Sequence, residues 1–230
     1  MVRLGRFFFK YRDAVFPVVL IPMLIVFPVG GEPRIQGVVT VAGVVVALLG
    51  QALRAIVIGY VYILRGGRNR QVYAEDLVTT GFFAHARNPL YLGNMMILAG
   101  LFLIHGNPWV IALGSAFFLL VYVTIVAAEE EYLSNQFGQQ YADYARRVPR
   151  WIPRLAGLSQ TVSGMRFNWR RVIAKEYSSA AVWMAGAVLL VARHSGSAPE
   201  AMWIALLVLA LAWVVARVLK KSGRLKQAHS

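Results

Sequence analysis

The chain contains no cysteine and only four histidines among its 230 residues. Disulfide bonds, thiolate metal ligands and cysteine nucleophiles are therefore excluded. The histidines are His85, His105, His194 and His229. They lie far from one another along the chain, in none of the short spacings that bind a metal ion. The sequence thus predicts no metal site.

Charged residues are also scarce, at 15% of the chain, whereas a typical soluble domain has about a quarter. Hydrophobic residues make up 58%, and the mean hydropathy is +0.57. Several apolar runs reach the roughly 20 residues that a helix needs to cross the hydrocarbon layer of a bilayer. We therefore predict an all-α integral membrane protein in contact with the lipid bilayer.

Acidic residues number only 10 against 24 lysines and arginines, which gives a net charge of +14. All of these cations except Arg34, Arg54 and Arg193 lie in four polar segments beside the apolar runs. Cytoplasmic loops of membrane proteins carry such an excess of Lys and Arg. The distribution predicts that both termini are cytoplasmic, and we expect no nucleic-acid binding.

The apolar runs predict about six transmembrane helices, joined by short turns or polar segments. The predicted spans are 14–29, 37–64, 90–104, 109–128, 177–192 and 200–219. We divide the chain into three parts on this basis. Residues 1–76 hold a basic segment and spans 1 and 2, residues 77–153 form a core built on a helical hairpin, and residues 154–230 hold a basic linker and two C-terminal spans.

The polar segment after span 4 has a helical apolar pattern. Leu133, Phe137, Tyr141, Tyr144 and Val148 recur every three or four residues, which is one face of an amphipathic helix. We predict that this helix lies on the cytoplasmic side and caps the core.

Arg54 lies inside predicted span 2, three residues after Gln51. An arginine within a span costs about 2.5–3.5 kcal/mol on insertion scales, so it should face the protein interior or a wet cavity. Arg54 would have to reach roughly 16 Å to the end of the span near Arg65. Snorkelling and a role in a site both remain open for this residue.

Two polar clusters flank the hairpin of the core. Pro89 follows Arg87 and Asn88 and is suited to the first turn of a helix, whose free N–H groups favour an anion. Glu129, Glu130 and Glu131 follow span 4 at the other end. Because a two-span hairpin returns to the same side of the membrane, we expect the two clusters to be neighbours. Each cluster has a plainer interpretation too, as an ordinary helix start and as a solvated helix face.

Three motifs in the core resemble the isoprenylcysteine carboxyl methyltransferase family and the wider phospholipid methyltransferase group. They are Leu-Val-Thr-Thr-Gly followed by Arg-Asn-Pro-Leu-Tyr-Leu-Gly, then Asn-Pro, then Glu-Glu followed by Phe-Gly, two tyrosines and Arg-Val-Pro. The resemblance runs from Leu77 to Pro153. It implies a helical membrane enzyme that uses S-adenosyl-L-methionine to methylate a lipid-like or prenylated acceptor at the cytoplasmic face.

The resemblance also implies roles for particular residues. Those of the cofactor pocket would be Asn88, Pro89, Tyr91, Gly93, Glu129 and Glu130, and those of the cytoplasmic cap near the acceptor would be Tyr144 and Arg147. Eukaryotic members have His in place of Asn88 and Tyr in place of Phe83, and the last two spans lie outside the resemblance. The acceptor therefore stays open.

The chemistry of the acceptor decides which groups catalysis requires. A carboxylate, ionised at neutral pH, needs no base but an orienting cation, for which Arg147 or Arg54, with Gln51 beside it, is the candidate. An amine or thiol acceptor would need a base, and Glu130 could serve. Prenylcysteine-type carboxyl methylation is our first expectation, and phospholipid N-methylation or small-thiol S-methylation is the alternative.

Two other classes of membrane protein compete with this interpretation. Sterol reductases that use NADPH share the Arg-x-Pro-x-Tyr-x-Gly pattern but have an Arg-Asp-Glu run where this chain has Ala128 before its glutamates. A small transporter would show inverted repeats and broken helices at mid-membrane, and the two halves of the chain show no convincing repeat.

Overall fold

Long helices dominate the computed structural model, which describes all residues except 32, 62–64, 69–70, 75, 196–198 and 226–230. The helices are α1 (Val2–Val26), α2 (Pro33–Tyr60), α3 (Pro89–His105), α4 (Ser115–Phe137, preceded by a π turn at Val110–Gly114), α5 (Gln139–Arg147), α6 (Leu158–Ser163), α7 (Trp169–Ser195) and α8 (Pro199–Lys221). The predicted all-helical fold is confirmed, apart from one small antiparallel hairpin of β1 (Arg65–Arg68) and β2 (Gln71–Ala74).

Helices α2 and α3 pack with their backbones in contact. A Cβ added to Gly100 would lie 2.5 Å from the carbonyl oxygen of Gly43, and one added to Gly50 would lie 2.6 Å from that of Gly93. Such close approach requires small residues at the crossing. The pairing of residue 43 with 100 and of 50 with 93 makes the two helices antiparallel. The site is built along this pair.

Helix α1 packs on α4 from its first turn. Phe8 and Phe9 are buried against Val121 and Ile125, and a Cβ on Gly5 would lie 1.8 Å from the Thr124 carbonyl oxygen. The helix begins at residue 2, so the predicted span 14–29 starts inside a helix that also includes the basic segment. The basic N-terminal segment is helical because its aromatic side chains are buried against α4.

Helix α4 is also longer than predicted. It follows a tight turn at Gly106, whose φ of +77° suits glycine, and the Asn107 side chain accepts a hydrogen bond from Trp109 N at 2.9 Å. The helix continues beyond the predicted end at residue 128 to Phe137. Glu129, Glu130 and Glu131 thus lie within the helix rather than after it.

The amphipathic segment forms the end of α4 and the short helix α5. The chain turns between them at Gly138, which has a φ of +51°. Four of the five predicted apolar positions are fully buried and pack with Ala74 at the end of the hairpin: Leu133, Tyr141, Tyr144 and Val148. The predicted buried face is confirmed, but it spans two helices.

Helices α7 and α8 follow the core as a pair. Trp183, Ala187 and Leu190 of α7 pack on α2 and α3, whereas α8 packs mainly on α7 and exposes most of its large apolar side chains. The start of α7 is joined to the end of α2 by a hydrogen bond from Asn168 N to the Gly59 carbonyl oxygen at 2.9 Å.

Among the described residues, three helical segments are long and apolar enough to cross a membrane: Ile35–Tyr60, Val110–Phe137 and Pro199–Lys221. Helix α3 is a shorter apolar helix of 17 residues. The membrane character of the protein is confirmed. The count of six spans, the cytoplasmic termini and the division at residues 77 and 153 stay predictions.

Candidate active site

A cavity of about 1240 Å³ lies between α1, α3, α4 and α7. Its polar end is lined by side chains that include Arg12, Asp13, Arg54, Arg87, Asn88, Tyr91, Asn94, Glu129, Lys175 and Ser178. Its other end is apolar and is lined by Leu20, Leu24, Leu98, Leu101, Val182 and Leu189 among others. Small-molecule pockets are typically about 300–1000 Å³. The volume of this cavity therefore lies above the usual range for a single small ligand.

The start of α3 forms one wall of the polar end. Pro89 is the first helical residue, and Asn88 precedes it with φ −132° and ψ 51°. The Asn88 side chain is buried and donates to Glu130 Oε1 and to the Arg150 carbonyl oxygen, each at 3.3 Å. The first N–H groups of a helix have no partner within the helix. This wall therefore suits an anionic group.

Glu130 lies behind this wall rather than on the cavity. Its carboxylate is 3.2 Å from Arg87 Nη1 and 2.5 Å from Arg150 Nη2. Glu130 also accepts the hydrogen bond from Asn88 described above. With its oxygens engaged by two guanidinium groups and an amide, Glu130 holds the turn that precedes α3. The geometry gives it a positioning role and leaves it little capacity to accept a proton from a substrate.

Of the three adjacent glutamates, Glu129 is the one that lines the cavity. It is 4% exposed and accepts a hydrogen bond from the Tyr91 hydroxyl at 2.6 Å. The two adjacent glutamates therefore point to different environments, one towards the cavity and the other towards the arginines. The structure brings Asn88, Pro89, Tyr91 and Glu129 together at the polar end of the cavity, as the sequence predicts.

Gly93 packs against α2 and does not line the cavity. A Cβ at this position would lie 2.6 Å from Arg54 Cγ and 2.9 Å from the Gly50 carbonyl oxygen. Its role is therefore the close contact of α2 and α3. That contact in turn holds Arg54 against the polar end of the cavity.

Arg54 lines the cavity and is tied into a buried network. It donates from Nε and Nη2 to the two oxygens of Glu176 at 2.8 and 2.6 Å, and from Nη1 to Asn94 at 2.5 Å. Gln51 lies behind it, donates to Glu176 at 3.0 Å and accepts from Trp183 Nε1 at 2.8 Å. Arg54 thus faces the protein interior. Gln51 supports the network from outside the cavity lining.

The structure does not bring Tyr144 and Arg147 to the cavity. Tyr144 is buried and donates to the Phe83 carbonyl oxygen at 2.8 Å. Arg147 is exposed and bonds the Asp143 carbonyl oxygen at 3.2 Å. The pKa of the exposed Asp143 carboxyl is lowered by a hydrogen bond from Gln139 and by the nearby Arg146. The cationic face of α5 is thus turned towards solvent.

Several polar residues of the site have no role that the sequence alone indicates. Arg87 belongs to a quoted motif, but a carboxylate partner 43 positions away could not be inferred for it. Arg150 and Asn94 are unremarkable in sequence. Glu176 is a lone acidic residue in a helix outside the motifs, and its pairing with Arg54 depends on how α7 packs.

A bound S-adenosylmethionine would find groups of both signs at the polar end. Among the described residues, Arg87 Nε is a buried donor without a hydrogen-bond partner, which suits a ligand carboxylate. Glu129 lines the same end and suits a cationic or hydroxyl-bearing group. The residues present therefore fit this cofactor. In the described part of the chain no group of three His, Asp or Glu side chains could hold a metal ion, and His229 lies outside that part.

Comparison with known proteins supports the resemblance seen in the motifs. Residues 38–140 match the phospholipid methyltransferase family. The chain is 31% identical over 110 residues to a protein-S-isoprenylcysteine O-methyltransferase of Schizosaccharomyces pombe, which covers 46% of this chain and 45% of that protein. No solved structure matches the chain.

Two further relatives have names from metal resistance. The nickel-cobalt-cadmium resistance protein NccN of Alcaligenes xylosoxydans xylosoxydans is 28% identical over 66% of this chain and 70% of its own length. The cobalt-zinc-cadmium resistance protein CzcN of Cupriavidus metallidurans is 34% identical over 36% of this chain and 38% of its own length. The chain therefore spans less than half of two of these three relatives.

The matched segment contains α3, α4 and most of α2, and so it supplies the start of α3 and both glutamates. The resemblance predicted from the motifs is confirmed by the match of residues 38–140 to the phospholipid methyltransferase family, and the matches support a methyltransferase.

Proposed function

We propose that the protein transfers a methyl group from S-adenosylmethionine to the carboxylate of a lipid-like, prenylcysteine-type acceptor at the cytoplasmic face of a membrane. One observation carries the proposal. The start of α3 and the Glu129 carboxylate line the polar end of a cavity whose other end is apolar. Such a cavity can hold a polar cofactor and a lipid-like acceptor together.

Asn88, Pro89, Tyr91, Glu129 and Arg87 would hold the cofactor. The unpartnered Arg87 Nε, just before α3, suits its carboxylate, and Glu129 suits its cationic or ribose groups. The Tyr91 hydroxyl fixes the Glu129 carboxylate at 2.6 Å. Glu130 acts from behind by keeping Arg87 and Asn88 in place. Gly93 supports the site by allowing α2 and α3 to touch.

S-adenosylmethionine supplies an electrophilic methyl group on a sulfonium, and an ionised carboxylate can accept it without a general base. The protein then has to orient the two groups and exclude water. Arg54, fixed by Glu176 and Asn94, lies at the polar end, where it can orient the acceptor. A reaction that needs no proton transfer agrees with a Glu130 whose oxygens are already bound to Arg87, Arg150 and Asn88.

The apolar end of the cavity supports a lipid-like acceptor. Leu24 of α1, Leu101 of α3 and Leu189 of α7 line it from three helices, and these apolar side chains match a hydrocarbon tail in polarity. Tyr144 and Arg147, which the resemblance assigns to the acceptor, would act only if α5 moved towards the cavity. We therefore assign acceptor orientation to Arg54 in preference to Arg147.

Phospholipid N-methylation is the second candidate, favoured by the family that residues 38–140 match. An amine acceptor would need a base at the cavity, and Glu129 lines it whereas Glu130 does not. The metal-resistance names belong to two relatives and not to this chain. We therefore propose no metal role for it.

A methyl-transfer assay tests the proposal. Purified protein would be incubated with S-adenosylmethionine labelled in the methyl group and with an S-farnesylated N-acetylcysteine. We expect a labelled product that releases methanol in base, as a carboxyl ester does. A base-stable product on a phospholipid would favour N-methylation instead, and no product on either acceptor would contradict the proposal.

A further inference from the structure

Helix α7 lies outside the matched segment 38–140 but forms a wall of the cavity. Its lining residues change from polar to apolar along the helix, from Lys175, Ser178 and Ser179 to residues that include Val182, Gly186 and Leu189. This stripe is about 21 Å long at 1.5 Å per residue. It presents its one cation at the end where the chemistry is proposed to occur.

Helix α1 repeats the same gradient. Its lining begins at Arg12 and Asp13 and ends at Leu24, about 18 Å further along the helix. Along α3 the lining likewise runs from Asn88, just before the helix, to Leu101. The lining residues of the three helices thus indicate one orientation for an amphiphile in the cavity. Its head group would lie near Lys175 and Arg12, and its tail would lie towards the leucines.

The packing of α7 on α2 fixes the depth of Lys175. Asn168 N donates to the Gly59 carbonyl oxygen at 2.9 Å, which aligns the start of α7 with the end of α2. Further along, Glu176 pairs with Arg54 at 2.6 Å. Because Lys175 directly precedes Glu176, its backbone lies level with Arg54, at the polar end of the cavity.

The other cations at this end already have partners. Arg54 is paired with Glu176 and Arg87 with Glu130, and Arg12 lies 3.9 Å from Asp13 and stacks on the Phe9 ring. Lys175 is exposed, and within the described ranges of the chain it forms no ion pair. Within the described residues it is therefore the cation at this end that has no carboxylate partner.

We propose that Lys175 is a specificity-determining residue that selects acceptors with an anionic head group. This inference rests on the proposed function for the identity of the reaction, but its charge selectivity can be measured without turnover. Lys175 attracts the acceptor carboxylate to the polar end of the cavity, and Arg54 orients that carboxylate deeper inside. The neutral ester formed by methylation loses this attraction, which favours release of the product.

Binding of two probes to the full-length protein in nanodiscs tests the inference. The first probe is S-farnesylated N-acetylcysteine, and the second is its uncharged carboxamide. We expect the wild-type protein to bind the carboxylate about tenfold more tightly, because a charge-assisted contact is involved. Lys175→Gln should lose that preference while it binds the carboxamide normally, and Lys175→Arg should retain it. Lys221→Gln, an exposed change at the end of α8, is the matched control.

The outcomes separate this inference from the proposed function. A preference that Lys175→Gln abolishes supports the inference even if the wild-type protein methylates neither probe. A wild-type protein that methylates the carboxylate probe, with an unchanged preference in Lys175→Gln, overturns the inference alone. Equal weakening of both probes by Lys175→Gln, or no preference in the wild-type protein, also overturns it. The affinity for S-adenosylmethionine should be the same in all variants.

Discussion

The segment 38–140 and the neighbouring helices α1 and α7 differ in how their charged side chains at the cavity are paired. In the matched segment, the acidic side chains at the site are buried and bound, Glu130 to Arg87 and Glu129 to Tyr91. In α1 and α7, the cations that reach the cavity have a distant partner or none, as for Arg12 and Lys175. A buried site whose carboxylates are held by protein partners is suited to one fixed ligand, whereas exposed cations beside an apolar cavity are suited to attracting an amphiphile. We therefore assign the cofactor to the matched segment and acceptor selection to the flanking helices.

Replacement of Glu130 by alanine should have the largest effect. Arg87 would lose its carboxylate while remaining buried, and the loss of one partner of a buried ion pair costs about 3–5 kcal/mol. The partial exposure of Arg150 places the expected loss near the lower value. Thermal unfolding in detergent should show a marked fall in Tm, together with weaker cofactor binding. Glu131→Ala, which removes an exposed pair with Arg6, is the control and should leave Tm nearly unchanged.

Blocking the apolar end of the cavity from α7 should have the second-largest effect. A Cβ added at Gly186 meets no atom within 4 Å, so Gly186→Leu should fold and extend its side chain into the space proposed for the acceptor tail. We expect KM for a farnesylated acceptor to rise about tenfold, with unchanged affinity for S-adenosylmethionine. Gly164→Leu, at another glycine with open space around it but outside the cavity, is the control. An unchanged KM in Gly186→Leu would place the acceptor elsewhere.

Removal of the Tyr91 hydroxyl should have a moderate effect within the matched segment. Tyr91→Phe keeps the ring against Tyr122 but removes the hydrogen bond to Glu129. A hydrogen bond to a charged group contributes about 1.5–3 kcal/mol, so we expect cofactor affinity to fall roughly tenfold while KM for the acceptor changes little. Calorimetry with S-adenosylmethionine measures this directly. Equal weakening of cofactor binding and of acceptor binding would contradict the assignment of the two ligands to different regions.

Arg147→Ala should have the smallest effect. The side chain is exposed on α5 and bonds only a backbone carbonyl among the described residues, so we expect kcat/KM to change less than about twofold. The resemblance assigns this residue to the acceptor, and a large fall in turnover with unchanged cofactor affinity would restore that role. It would also show that α5 moves during the reaction.

Local patterns in the sequence predicted much of the architecture. The apolar runs predict the helices, and the hairpin between the two polar clusters predicts the meeting of Asn88 with the glutamates. The outer bounds of α1 and α4 could not be predicted, because Phe8, Phe9 and Glu130 are buried by tertiary partners that periodicity does not identify.

The candidate site was predictable only where adjacent residues define it. That Glu129 faces the cavity and Glu130 faces two arginines depends on the rotation of α4 against α3. The Arg54–Glu176 pair joins residues 122 positions apart, and no spacing rule connects them. Arg147 and Arg150 are three residues apart in a basic run, and only the turn after α5 decides which of them reaches Glu130.

Equilibrium binding of S-adenosylmethionine to the purified protein tests the central claim most directly, with wild type and Glu129→Ala compared in one titration series. The account predicts that the wild-type protein binds one molecule, that Glu129→Ala weakens binding at least about tenfold, and that Lys175→Gln leaves it unchanged. Absence of binding to the wild-type protein, or equal affinity in Glu129→Ala, would contradict a cofactor site between the start of α3 and the cavity-facing glutamate.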